Sequence, residues 1–200
     1  MSKVKFVSFW TDGYGPYADK LIESLAHHDL DFEVVRRESL GSWRKNVQYK
    51  PIFITNKIGE YADKGYEAIV WIDADAIVHE YPWLIVEKLA GKWRPDFAGH
   101  FRDGRELVLS VGYFRASFKV WQGCRKWAEL CQDDEIFNKL FCPEQSLLQA
   151  ELPKLGWSVF HLPSEYCKIF DLEEQNDRAR KVVKVIGQYQ ASRVMRKEAC

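Results

Sequence analysis

One short stretch limits the architecture more than any other. Ala68-Ile69-Val70-Trp71-Ile72 is an unbroken apolar run that stops on a carboxylate, Asp73. A short run this uniformly apolar, bounded by polar residues, reads as a strand covered on both faces, and such strands belong to α/β sheets with helices on each side. Asp73-Ala74-Asp75 follows just beyond the strand's C-terminal end, where ligands of open α/β sheets bind. Hard cations such as Mg²⁺ and Mn²⁺ take oxygen ligands, commonly one or two carboxylates completed by substrate phosphates. In an extended stretch residues i and i+2 point to the same side. The pair is therefore expected to share a metal–diphosphate assembly, one carboxylate on the metal and the other on a metal-bound water or a ribose hydroxyl. Two acids against a buried strand repel unless something compensates them, which argues against plain solvated turn aspartates.

The rest of the chain repeats the α/β pattern. Val4 to Trp10 reads as a buried strand, and Thr11-Asp12-Gly13-Tyr14-Gly15-Pro16 as a turn. Pro16 opens a helix with Ala18, Leu21, Ile22 and Leu25 on one face. Phe32 to Val35 is a second strand, so the chain opens β-loop-α-β, the start of a parallel sheet. Gly41 to Asn46 reads as loop, and Pro51 as the start of a helix through Ile54 and Ile58, with Asn46 and Lys50 near its beginning. Trp83 to Leu89 forms a helix; Asp96 to Phe101 and Leu107 to Arg115 form strands. Ser117 caps a helix reaching about Cys131, Pro143 begins another, and Trp157 to Leu162 is the last strand. The expected fold class is α/β: residues 1–200 as one domain around a mixed, mostly parallel central sheet flanked by helices.

Composition excludes several classes. The chain of 200 residues carries 29 basic and 29 acidic side chains, a formal net charge of zero, so no global field draws it to polyanions. Its 5 cysteines are odd in number and hold no C-x-x-C pair, against a zinc site or disulfide framework and for reduced thiols. The apolar run from Val4 to Trp10 is too short for a signal peptide or membrane span, so a cytoplasmic protein without a membrane anchor is expected. A basic tail, from about 177 to 200 and including Arg193, reads as a solvated face or as a clamp on phosphates. Aromatics are plentiful, with 8 Trp, 9 Tyr and 12 Phe, enough to fill a core and to leave some for stacking on a base or sugar.

A D-x-D pair after an apolar strand also occurs in dehalogenase-type phosphatases, but there it closes the first strand and is followed by Thr or Val where this chain has Ile77. The order of several motifs discriminates better. Phe9-Trp10-Thr11-Asp12 follows the first strand, then come Trp71-Ile72-Asp73-Ala74-Asp75, Ser110-Val111-Gly112-Tyr113-Phe114, Pro143-Glu144-Gln145 and Leu162-Pro163, and finally Tyr189-Gln190-Ala191-Ser192-Arg193. Taken together the chain resembles the nucleotide-diphospho-sugar glycosyltransferases of the GT-A (Rossmann-like) fold, in particular the compact enzymes of bacteriophages.

The resemblance implies a nucleotide-sugar donor, a UDP-sugar, and Mn²⁺ or Mg²⁺. Thr11, Asp12 and Tyr14 fall where such enzymes hold base and ribose, and Asp73 and Asp75 match the metal and diphosphate ligands. Gly112 lies where a small residue admits the donor sugar or acceptor, or where a strand bulges. Glu144 and Gln145 match an acidic-Gln pair facing donor sugar or acceptor, and Arg193 belongs to the phosphate-facing tail. The resemblance fails at one place: the C-terminal His that serves as third metal ligand appears as Gln188, which offers only a neutral oxygen. Lys50 is a candidate for the diphosphate. The catalytic candidates are Asp75, Glu144 and Asp103, the last two as base for an acceptor hydroxyl. His79, four residues past Asp75, is within reach of the pair but reads as a surface-loop residue, and His100 and His161 read as structural. The acceptor expectation is a 5-hydroxymethylpyrimidine in phage DNA, with Trp43, Arg44, Lys45, Arg102, Arg105 and Arg115 contributing stacking and phosphate contacts alongside the tail. Saccharide, lipid-linked and protein acceptors are the alternatives, and a nucleotide-sugar-binding protein without catalysis is another.

Overall fold

The computed structural model describes residues 3–169 and 185–188. Strand β1 is Val4–Trp10, helix α1 Gly15–His27, strand β2 Phe32–Arg36, helix α2 Trp43–Asp63 and strand β3 Ala68–Ile72. Strand β4 (Ala76–Val78) leads to a helix of π type, Leu84–Trp93, and then to β5 (Phe97–Arg102) and β6 (Glu106–Arg115). Helices α3 (Phe118–Cys131), α4 (Asp134–Lys139) and α5 (Pro143–Leu155) precede β7 (Val159–His161), β8 (Lys168–Ile169) and β9 (Ile186–Gln188).

The main sheet has the order β2-β1-β3-β6-β5-β7. Strand β1 pairs parallel with β2 and β3, and β7 parallel with β5, while β6 runs antiparallel to both of its neighbours. The expected mixed, mostly parallel sheet flanked by helices is therefore present. Alternation along β3 divides the core. Val70 and Ile72 pack with Leu21 and Leu25 of α1 and with Leu84, Ile85 and Leu89 of the π-helix. Ile69 and Trp71 face the other way, onto Phe53, Ile54 and Ile58 of α2, Trp127 of α3 and Leu148 of α5.

The structure corrects the sequence reading at three places. Helix α2 starts at Trp43, well before Pro51, because Ser42 is extended and its hydroxyl accepts the Lys45 N–H at 3.2 Å. Pro51 then lies inside the helix, where a proline ordinarily costs about 3 kcal/mol. Burial of Pro51 with Phe53, Ile54 and Ile58 against the sheet offsets that cost. Second, Asp73 to Asp75 is not extended: the Ala76 N–H donates to the Asp73 carbonyl at 3.0 Å, a turn that swings the chain out of the main sheet. Third, the chain enters a small sheet of order β4-β9-β8, whose strands are too short and too scattered to be read from periodicity.

Strand β6 overshoots β3 and is irregular where it does so. Gly99 of β5 faces Gly112 while the next residue, His100, faces Val108, so Leu109, Ser110 and Val111 bulge out of that pairing. Their backbone groups turn to other partners. The Leu109 N–H donates to Gln145 Oε1 at 3.2 Å and the Leu107 N–H to Gln149 Oε1 at 2.7 Å, so α5 acts as a surrogate strand along β6. Replacing Gln149 with Ala leaves the N–H of buried Leu107 without that acceptor. It is expected to lower stability by about 1–3 kcal/mol, read by urea denaturation, with faster hydrogen exchange at the Leu107 amide; unchanged exchange there would remove α5 from this role.

Candidate active site at the end of strand β3

Strands β1, β2 and β3 are parallel and end at one edge of the sheet, on Thr11, Arg37 and Asp73. The alternation that turns Trp71 toward α2 also brings it to Asp73, and the Trp71 Nε1–H donates to Asp73 Oδ1 at 2.8 Å. The same oxygen lies 2.9 Å from Lys50 Nζ. Lys50 comes from the middle of α2 and is only 6% exposed. It also donates to the Leu109 carbonyl of the β6 bulge at 2.9 Å and lies 3.8 Å from Glu144 Oε1 at the start of α5. Burial alone would lower its pKa. The charges of Asp73, Glu144 and Asp75 outweigh burial and hold it above the ordinary lysine value, so the site contains a fixed ammonium.

Glu144 is 7% exposed, and its Oε2 has no hydrogen-bond partner within the described residues. Burial, opposed by Lys50, holds its carboxyl above the usual carboxylate range. A buried acceptor without a partner is uncommon enough to suggest that something else donates to it. Asp75 is buried at 5% exposed, and its charge is felt at Lys50. The donor set decides what cation these residues suit. Among the described residues no group of three or more His, Cys, Asp or Glu could hold a metal. Asp73 Oδ1 is already engaged by Trp71 and Lys50. Asp73 and Asp75 thus fit a cation that brings most of its oxygens with it, as a metal–diphosphate does, rather than a metal caged by protein alone.

The remaining sequence candidates fall at different places. Thr11 is buried, with its hydroxyl 3.5 Å from Asn46 Nδ2. Asp12 is exposed and paired with Arg36 at 2.8 Å, and Tyr14 caps α1 at the same edge. At Gly112 the space that a Cβ would take is filled by Leu109 Cδ1 at 2.8 Å and Phe114 Cε2 at 3.0 Å, so packing beside the bulge accounts for the glycine. Gln145 gives its oxygen to the Leu109 N–H. Asp103 sits exposed in a left-handed turn (φ 51°) at the tip of the β5–β6 hairpin, beyond the sheet edge that carries Asp73. The backbone of Gln188 pairs with Ala76, next to Asp75. Arg193 and the basic tail lie outside the described residues.

The proposed phosphate contacts do not form one face. The Arg44 guanidinium donates to the Phe137 and Leu140 carbonyls at 2.6 and 2.8 Å, closing the end of α4. Arg115 pairs with Ala68, at the opposite end of β3 from Asp73. Arg102 and Arg105 are on the hairpin at the Asp73 end. His100 Nδ1 lies 3.1 Å from the Leu162 carbonyl and His161 stacks on Phe101, in keeping with structural roles. Sequence reading missed Arg37, whose guanidinium lies 3.4 Å from the centre of the Tyr49 ring beside Thr11. The signal was there: β2 runs straight from an apolar strand into Arg36-Arg37 at the ligand edge.

No protein-family model matches the chain, and no curated protein matches it. Among solved structures it is similar to a glycosyltransferase involved in the glycosylation of the major capsid of PBCV-1. The likeness has a TM-score of 0.70 at 12% identity and covers 99% of this chain and 100% of that one. The chain therefore has the α/β fold of a compact viral glycosyltransferase. None of the helices among the described residues is long and apolar enough to cross a membrane.

The raised carboxyl of Glu144 gives a signed prediction. A carboxyl whose folded pKa exceeds its unfolded value stabilises the fold below the unfolded value, and that stability is lost as pH rises through the folded one. From the ordinary carboxylate range upward, Glu144 should therefore make the protein less stable with rising pH. Glu144→Gln should flatten that part of the stability–pH curve, measured by urea denaturation across a pH series; parallel curves for the two proteins would contradict it.

Proposed function

We propose that this protein is a glycosyltransferase of the GT-A type that moves a sugar from a nucleoside diphosphate donor, a UDP-sugar, to an acceptor hydroxyl. The observation that carries the reading is the group of buried Lys50 and Glu144 with partly exposed Asp73, and Asp75 beside it, at the C-terminal edge of a sheet whose fold is shared with a glycosyltransferase. Thr11, Asp12 and Tyr14 would hold base and ribose, with Arg37 against Tyr49 as a neighbouring stacking surface. Mn²⁺ or Mg²⁺ on Asp73 and Asp75, with Gln188 as a further oxygen donor, would supply Lewis-acid stabilisation of the diphosphate. Lys50 contributes a fixed positive charge as the diphosphate departs, at no cost of reorganisation. Where the reaction inverts configuration, Glu144 or Asp103 takes the proton of the acceptor hydroxyl; where it retains, the departing diphosphate takes it.

The similar structure belongs to a protein of capsid glycosylation, which favours a hydroxyl on a glycan or protein as acceptor. The DNA reading is carried by Arg102 and Arg105 on the overhanging hairpin. Incubation with UDP-, GDP- and TDP-sugars and Mn²⁺, followed by chromatography of released nucleoside diphosphate, tests the donor. Release from one class of donor is expected, and Asp73→Ala should lower it by about 10²–10³-fold. Binding of a donor with no release from any would leave a nucleotide-sugar-binding module. Mass analysis of hydroxymethylcytosine DNA after the same incubation tests the nucleic acid acceptor, and an unchanged mass with every donor would discard it.

A further inference from the structure

Lys50 already supplies a cation to the carboxylate that a metal would need. Its ammonium is 2.9 Å from Asp73 Oδ1, 3.8 Å from Glu144 Oε1 and 2.9 Å from the Leu109 carbonyl, and it lies 5.0 Å from the centre of the Trp71 ring. An ammonium has only donors to offer, and here its surroundings are acceptors and a π-face. Lys50 stands on α2, and its contacts come from the end of β3, from β6 and from α5, elements that pack the core. With Trp71 also on Asp73 Oδ1, that carboxylate has at most its other oxygen for a second cation.

A divalent ion arriving alone would meet a fixed positive charge beside its first ligand, and like charges at this range disfavour each other strongly. It would also have to give up water for few protein oxygens, since no larger ligand group gathers among the described residues. A diphosphate removes both obstacles. It brings oxygens for the metal, and negative charge that Lys50 and the metal neutralise together.

We infer that Lys50 is the resident counter-ion of the site: the free protein holds no divalent cation at Asp73 and Asp75, and the cation enters only together with a nucleoside diphosphate. This rests on the donor reading above. It makes Lys50 a positioning residue that sets the order of assembly, holding Asp73 in place until the donor arrives.

The electron paramagnetic resonance signal of free Mn²⁺ tests this on the full-length protein, without reference to turnover. Wild type at millimolar Mn²⁺ should leave the signal undiminished, and addition of UDP or GDP should remove part of it in proportion to protein. Lys50→Met should take up Mn²⁺ without nucleotide, about tenfold or more tightly than wild type. Because Lys50→Met leaves Asp73 and buried Glu144 without their counter-ion, the double variant Lys50→Met/Glu144→Gln is measured beside it, with circular dichroism confirming the fold. Saturable Mn²⁺ uptake by wild type alone, with UDP or GDP binding intact, overturns the inference and leaves the donor reading standing. So do folded Lys50 variants that bind Mn²⁺ no better than wild type. Failure of both nucleotides to bind, with or without Mn²⁺, overturns the donor reading and the inference with it.

Discussion

The buried ammonium of Lys50 is the interaction on which the site depends. A lone charge in a protein interior is costly, and a buried pair is stable only when geometry and further hydrogen bonds compensate its desolvation. Lys50 has both kinds of compensation: carboxylates on β3 and α5, and a backbone carbonyl on β6. Each partner is presented by a different element, so the ion fixes the mutual positions of α2, β3, β6 and α5. Removing it would leave Asp73 and Glu144 without the cation that both approach. The bulge at Leu109–Val111 belongs to the same arrangement. A regular β6 would spend the Leu109 carbonyl and N–H on a neighbouring strand. The bulged one gives them to Lys50 and Gln145.

Much of this was legible before any coordinates. The run from Ala68 to Ile72 is buried throughout as its composition demands, and the first strand and the helix capped by Ser117 fall where pattern and capping put them. The regular sheet follows from local signals, and local signals are what a sequence carries best. What failed was non-local. Pro51 reads as a helix start because a proline inside a helix is locally unfavourable; only burial against the sheet makes the longer α2 stable. The small sheet of β4, β8 and β9 joins segments far apart in the chain, each too short to have a period.

The site divides along the same line. That Asp73 and Asp75 sit at a ligand edge could be read from the strand that precedes them. Their relation to each other could not, since the turn closed by the Ala76 N–H replaces the extended geometry in which both would point one way. Asp73 instead turns to Trp71 and Lys50, and Asp75 is buried at the start of the excursion into the small sheet. Gln145 reads as a ligand-facing residue because it follows Glu144. In the fold the two part company: Gln145 supports the β6 edge, while Glu144 keeps one oxygen without a partner.

These two adjacent residues show how one helix start can serve both scaffold and chemistry. The same first turn of α5 presents a carboxamide, which can satisfy a backbone N–H at no cost in charge, and a carboxylate, which is costly to bury without a counter-ion. The carboxamide goes to the bulge and accepts the Leu109 N–H. The carboxylate is held near Lys50, 3.8 Å from its ammonium. Exchanging the two residues would put a neutral group beside the ammonium and a charge against the Leu109 amide. The bulge could survive that exchange, since a carboxylate oxygen also accepts from an N–H. The ammonium would lose one of its two nearest anions, and with it part of the field that keeps it charged in the core. The order Glu144-Gln145, rather than the presence of the two residue types, is therefore what the geometry requires.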